Sequence, residues 1–160
     1  MFLDQSTFST VIQSTPLVSI DLVVTNAQGQ ALLGKRLNRP AKDYWFVPGG
    51  RIFKDETLAD AFKRLTCDEL GKEFAIEQSC LLGIFDHFYD DYVFGDDVST
   101  HYVAIAFILQ LDCELDSLPL DVQHDDYLWF DVPSLMADDK VHMHTKLYFE
   151  KTKNRLIIKE

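Results

Sequence analysis

The residues best suited to chemistry are gathered in one stretch, Gly50 to Gly71 (GRIFKDETLADAFKRLTCDELG), where Glu56, Arg64, Asp68 and Glu69 stand between two glycines. Carboxylates near a helix end can hold a hard divalent cation, and that cation can screen and bridge phosphate oxygens. An isolated Asp68–Glu69 pair would do no more than solvate a helix end. The weight therefore falls on the joint register of glycines, acids and arginine. A second polar group follows at Gln123, His124, Asp125, Asp126 and Tyr127. An imidazole, with an ordinary pKa of about 6.5, accepts a proton readily near neutral pH. By pattern alone the same residues also make a polar surface turn.

The elements around these groups read as α/β. Thr57 and Asp60 fit a capping box, and Leu58, Ala61, Phe62 and Leu65 repeat at i, i+3, i+4 and i+7, so a helix is expected up to Gly71. Ser6 or Thr7 is expected to cap a short helix presenting Phe8, Val11 and Ile12, limited by Pro16. Leu17–Thr25 and Ala31–Arg36 read as a β-hairpin turning at Asn26–Gln30. After a loop and a short extended run, Tyr44–Val47, the sequence Pro48-Gly49-Gly50 is expected to interrupt regular structure. Further strands are expected at Cys80–Phe88, Tyr102–Leu111 and Tyr127–Phe130, and a helix near Thr145–Lys153. Between two of them, Asp86 to Thr100 mixes His87, Tyr89, Tyr92 and Phe94 with Asp90, Asp91, Asp96 and Asp97. It reads as a lid or, more simply, as a solvated mobile loop.

At 160 residues, 47% hydrophobic and 12% aromatic, the chain can bury its own core as one domain, residues 1–160. The formal charge of −11 opposes non-specific binding to nucleic acid or anionic membrane, so a phosphate ligand needs a local cationic site. Cys67, Cys80 and Cys113 show no metal-binding spacing and suit reduced thiols. No apolar run approaches the roughly 18 residues a membrane helix needs, and a cytoplasmic location is expected.

The segment Gly50 to Gly71 resembles the Nudix box: glycine, five residues, Glu56, seven residues, Arg64, an acidic cluster and glycine. Resemblance to the Nudix hydrolases implies an α/β/α sandwich around a mixed sheet, with the loop-helix-loop binding a divalent cation against a diphosphate. It makes Glu69 and the Gly49 carbonyl metal ligands, and Glu56 with Arg64 a guanidinium-carboxylate fork tying loop to helix. Two departures matter. The box has acids where this chain has Leu65, and Glu where it has Asp68, so fewer metals are expected, one Mg²⁺ per subunit.

Those departures, with the stretches MFL, STPLVS, LLGKR, NRPA, YWFVPGGR, KDETL, HFYDD, THYV and QHDDY, resemble the GDP-mannose mannosyl hydrolases of that superfamily. The resemblance implies attack of water at carbon 1 of mannose with inversion, GDP leaving. It makes His124 the general base, oriented by Asp125 or Asp126, and Gln123 a neutral metal ligand beside Glu69. Arg36 and Arg51 are carried over as diphosphate contacts whose forked donors offset charge on GDP. Asp21, His87 and Tyr102 fall near the sugar or leaving group, though a polar strand residue or a core aromatic is the plainer reading of each. Phe2, Leu3 and Phe8 match an N-terminal segment, residues 1–16, that contacts nucleotide or a partner subunit in a homodimer. Phe8 on an apolar helix face also suits core packing. GDP-glucose is the alternative sugar nucleotide. The competing functions are a Nudix pyrophosphohydrolase cleaving a P–O bond and a non-catalytic nucleotide-sugar sensor.

Overall fold

A computed structural model describes residues 3–115, 118–119 and 124–156, with side chains through residue 150. Its axis is strand β1 (Leu17–Thr25), which runs parallel to β6 (Thr100–Gln110) from Leu17 opposite Tyr102 to Thr25 opposite Gln110. The sheet order is β3-β2-β1-β6-β5, where β2 is Ala31–Arg36, β3 Trp45–Phe46 and β5 Cys80–Tyr89. Two further strands attach off that path, β4 (Gly49–Arg51) on β1 and β7 (His124–Phe130) on β2. All pairings except β1–β6 are antiparallel, so the sheet is mixed.

Both faces of β1 are covered, which is why it reads as a nearly continuous apolar run rather than an alternating one. Ile20, Leu22 and Val24 pack with Phe62, Leu65 and Leu70 of helix α2 (Leu58–Leu70). Val23 points into a second core with Leu135 of α3 (Val132–Ala137) and Tyr148 and Phe149 of α4 (Met143–Leu156). Helices thus lie on opposite faces of a mixed sheet, the expected α/β/α sandwich. Helix α1 (Gln5–Ser14) packs Phe8, Val11 and Ile12 with Leu17, Tyr92 and Tyr102. Among the described residues no helix is long and apolar enough to cross a membrane.

Several local expectations change. Helix α1 is capped by Asp4, not by Ser6 or Thr7: Asp4 accepts from the Thr7 amide, at 3.0 Å, and from both hydroxyls, so those residues form the first turn instead. The turn at Asn26–Gln30 forms, with Gly29 at φ 76°, yet β1 and β2 share only the register pair Thr25–Ala31. The edge of β1 that a hairpin would use is held at Ser19–Asp21 by β4, so β2 pairs with β7 and β3. Gly49 and Gly50, expected to break regular structure, are therefore strand residues. Helix α3, which follows Asp131 and carries Pro133 near its start, was not expected, nor was a 3₁₀ turn at Ile76–Gln78.

Candidate active site

Helix α2 is built locally and then docked. Thr57 accepts from the Asp60 amide at 3.1 Å and donates to its carboxylate at 2.7 Å, while Gly71 ends the helix at φ 72° with its N–H on the Cys67 carbonyl. Leu65 faces inward against Gly50, where an added Cβ would stand 2.6 Å from Leu65 Cδ2. From within the helix, Arg64 reaches the segment ahead of it, donating to both Glu56 oxygens, at 2.7 and 2.9 Å, and to the Arg51 carbonyl at 2.9 Å. Glu56 also accepts from the Phe53 amide. Arg64 holds the Glu56 pKa below the usual carboxylate value, and Glu56 raises that of Arg64 in return. This is the fork that the sequence implied, and it fixes the strand-loop-helix geometry.

On the last turn of α2, Glu69 is 2% exposed, with Oε2 lying 3.4 Å from His124 Nδ1. That oxygen and His124 Nε2 are buried and have no hydrogen bond among the described residues. A buried carboxyl oxygen without a donor is costly, and a hard cation would satisfy it. Gly49 lies on the neighbouring strand, opposite Asp21, and a Cβ there would come within 2.5 Å of the Ile20 carbonyl oxygen and 2.9 Å of Asp21 Oδ1. The glycine thus permits close backbone approach rather than a tight turn. Asp68 turns outward to Arg64 at 3.5 Å. Among the described residues no cluster of three or more His, Cys, Asp or Glu is arranged to hold a metal, and the buried Glu69 Oε2 is an orphaned oxygen that a cation would suit. Gln123 lies outside the described residues.

His124 opens β7 opposite Arg36 and packs its ring on Gly34. The expected orienting groups are elsewhere, Asp125 against Lys35 at 3.7 Å and Asp126 accepting from the Tyr127 amide. Tyr127 replaces them, its hydroxyl 2.9 Å from His124 Nδ1. Burial, then the Glu69 carboxyl, raises the Tyr127 pKa. His124 itself is 1% exposed and meets the cleft through Glu69 and Tyr127, which line it.

That cleft, of about 830 Å³, is of a size for a nucleotide-scale ligand. Leu3, Phe8 and Arg51 line it, as do Asp21, Arg36, His87 and Tyr102, together with Gly49 and Glu69. The described site residues expected from sequence therefore converge, apart from His124, which lies just beneath. Phe2 is outside the described residues. The Arg51 guanidinium sits over the Phe8 ring at 4.1 Å, and burial lowers its pKa. Arg36 is tied back by Nε to the Pro40 carbonyl at 2.9 Å. The loop after β5 is not a free lid: Tyr92 is buried beside Ile12 and Leu17, and Phe94 meets Phe8 edge-on.

Asp21 and His87 meet at a point the sequence did not indicate. Tyr148 of α4, fully buried, donates to Asp21 Oδ2 at 2.5 Å and lies 3.2 Å from His87 Nε2. Burial raises the Asp21 pKa to about 6, against the lowering effect of the Tyr148 bond and Arg36. Burial pushes that of His87 down to about 3, with His144 and His142 adding to the effect. The His87 and His144 rings stack at 4.2 Å. Arg39 and Tyr89, also on the cleft wall, were missed as well. Arg39 falls in the NRPA stretch, which did signal it, whereas nothing in the local pattern marks Tyr148.

Known proteins share this fold. The NUDIX domain family model matches residues 15–150. The chain is 46% identical, over 77% of its length and 76% of the relative's, to the low-salt glycan biosynthesis protein Agl8 of Haloferax volcanii. Among solved structures it superposes on a MutT protein from Methanosarcina mazei Go1 with a TM-score of 0.71 at 18% identity, covering 89% of this chain and 97% of that one. It also matches the NUDIX domain of Shewanella oneidensis NrtR in complex with ADP ribose, TM-score 0.68 at 16% identity, covering 96% and 99%. Hydrolases of this family generally use a divalent metal. With the box helix, its Glu56–Arg64 fork and the sandwich all in place, the chain belongs to the Nudix hydrolase family.

Proposed function

We propose that the protein hydrolyses GDP-mannose, with GDP-glucose as the alternative substrate, to GDP and the free sugar by inverting displacement at sugar carbon 1. The observation that carries this reading is the junction of Glu69 with His124, 3.4 Å apart at the cleft, on a helix where Leu65 replaces a box acid. A lone carboxylate beside an imidazole suits one cation and one base better than a multi-metal attack on phosphorus. The relative named for glycan biosynthesis and the neighbour holding ADP ribose support a nucleotide-sugar substrate.

Glu69 and the Gly49 carbonyl, with Gln123 from outside the described residues, would hold one Mg²⁺, whose charge neutralises the departing diphosphate. Arg36 and Arg51 take up the remaining charge through directed N–H donors. Because GDP is a weakly basic leaving group, a base for water suffices. Tyr127 engages His124 Nδ1 at 2.9 Å, which leaves Nε2, without a partner among the described residues, as the nitrogen to accept a proton from water. Asp21, His87 and Tyr102 contact the sugar side, and Leu3 and Phe8, with Phe2, cover the base. The protein acts as a homodimer in the cytoplasm, a compartment that suits its three exposed free thiols. Chromatography of products formed with Mg²⁺ tests the reading: GDP plus free sugar supports it, GMP plus sugar phosphate assigns a pyrophosphohydrolase, and absence of turnover on every nucleotide sugar assigns a sensor.

A further inference from the structure

We propose that Tyr148 is a positioning residue whose hydroxyl fixes both the Asp21 carboxylate and the tautomer of His87, so that the two present paired acceptors to hydroxyls of the sugar. The sugar as ligand rests on the function proposed above; the tautomer does not. A phenol has one hydrogen. With that hydrogen on Asp21 Oδ2 at 2.5 Å, the Tyr148 oxygen can only accept from His87 Nε2, 3.2 Å away. A neutral imidazole has one N–H, so placing it on Nε2 leaves Nδ1 as an acceptor. Burial, which depresses the His87 pKa to about 3, keeps the ring neutral.

Nδ1 then stands 3.9 Å from Asp21 Oδ2, and both residues line the cleft while Tyr148 does not. Two neighbouring acceptors recognise hydroxyl donors and repel a phosphate oxygen, which offers no hydrogen. They would therefore direct the sugar, not the diphosphate, to this end of the cleft. The Tyr148 ring is itself held edge-on to Phe85 at 4.8 Å, and His87 is stacked on His144, whose Nε2 meets the Phe88 carbonyl at 3.1 Å. The network is thus held from behind by Phe85 and His144, which do not line the cleft.

Long-range ¹H–¹⁵N NMR of the wild-type protein reads the His87 tautomer, with His87→Gln assigning its signals. The proposal expects the proton on Nε2, and a proton on Nδ1 overturns it whether or not any variant folds. In Tyr148→Phe the tautomers should mix, and KM for the nucleotide sugar should rise about tenfold or more, the scale of one hydrogen bond to a charged group, while inhibition by GDP changes less than about twofold. An unchanged His87 spectrum, or KM and GDP inhibition weakened together, overturns it. Absence of turnover on all nucleotide sugars, with His87 still protonated at Nε2 in the wild type only, defeats the substrate reading and supports the tautomer.

Discussion

Replacing Gly34 by alanine tests how His124 is held. Gly34 lies in β2 opposite Tyr127 and Phe46, and an alanine Cβ would stand 2.5 Å from both Cδ2 and Cγ of His124 and 3.0 Å from Nδ1. Carbon atoms in contact settle at about 3.5–4.0 Å, so the ring must retreat by about 1 Å. His124 is 1% exposed, so the ring retreats within a buried setting and not into solvent. Overpacking of this kind costs about 1–3 kcal/mol, offset by about 0.5–1 kcal/mol from removing a strand glycine, leaving a net loss centred on about 1 kcal/mol. A 1 Å displacement of a catalytic group lowers turnover by about 10²-fold. Urea unfolding gives the first quantity and steady-state kcat on GDP-mannose the second. A variant that loses stability but keeps full kcat would show that the imidazole seated on Gly34 is not the working base.

Other substitutions address separate parts of the site. Glu69→Gln removes a carboxylate oxygen at nearly constant size and should lower Mg²⁺-supported turnover by about 10²-fold or more with unfolding unchanged; normal turnover across a Mg²⁺ titration would move the metal elsewhere. His124→Gln should lower kcat by about 10²–10⁴-fold while leaving Mg²⁺ binding largely intact, an outcome checked by steady-state kinetics across a Mg²⁺ titration. Stability should also depend on His87. Its pKa is about 3 in the fold, below the ordinary 6.5, so the unfolded chain takes the proton first. That contribution is complete above about pH 6.5 and is lost as pH falls toward 3, with a slope of about 1.4 kcal/mol per pH unit for one proton. His87→Gln should flatten the pH dependence of unfolding near pH 5 by about that slope, and an unchanged slope would place the ring in a different environment.

What could be read from the sequence was what is decided locally. Thr57, Asp60 and Gly71 set the ends of α2 by their own hydrogen bonds, and its apolar spacing set the buried face, so helix, fork and Glu69 were legible together. Strand β4 was not, because Pro48-Gly49-Gly50 has turn chemistry and becomes a strand only by pairing with β1 from a distance in sequence. The same holds for His124: its neighbours in sequence, Asp125 and Asp126, looked like its partners, but a bulge where β7 passes Lys35 and Arg36 shifts the register, so that Tyr127 rather than Asp126 shares the face of His124, with Glu69 beside it. Tyr148 was out of reach for the same reason, being 127 residues from the carboxylate it holds. Long-range pairing decides these contacts, and no local period announces it.

The bond that breaks is the central claim, and hydrolysis of GDP-mannose in ¹⁸O-water tests it most directly. On the proposed roles, His124 as base for water and Arg36 and Arg51 as partners of the leaving diphosphate, mass spectrometry of early products should find the label in mannose and none in GDP. NMR of the first sugar released should show the β anomer. Label in GMP or in mannose 1-phosphate would mean attack at phosphorus and would contradict the account even with GDP-mannose as the substrate.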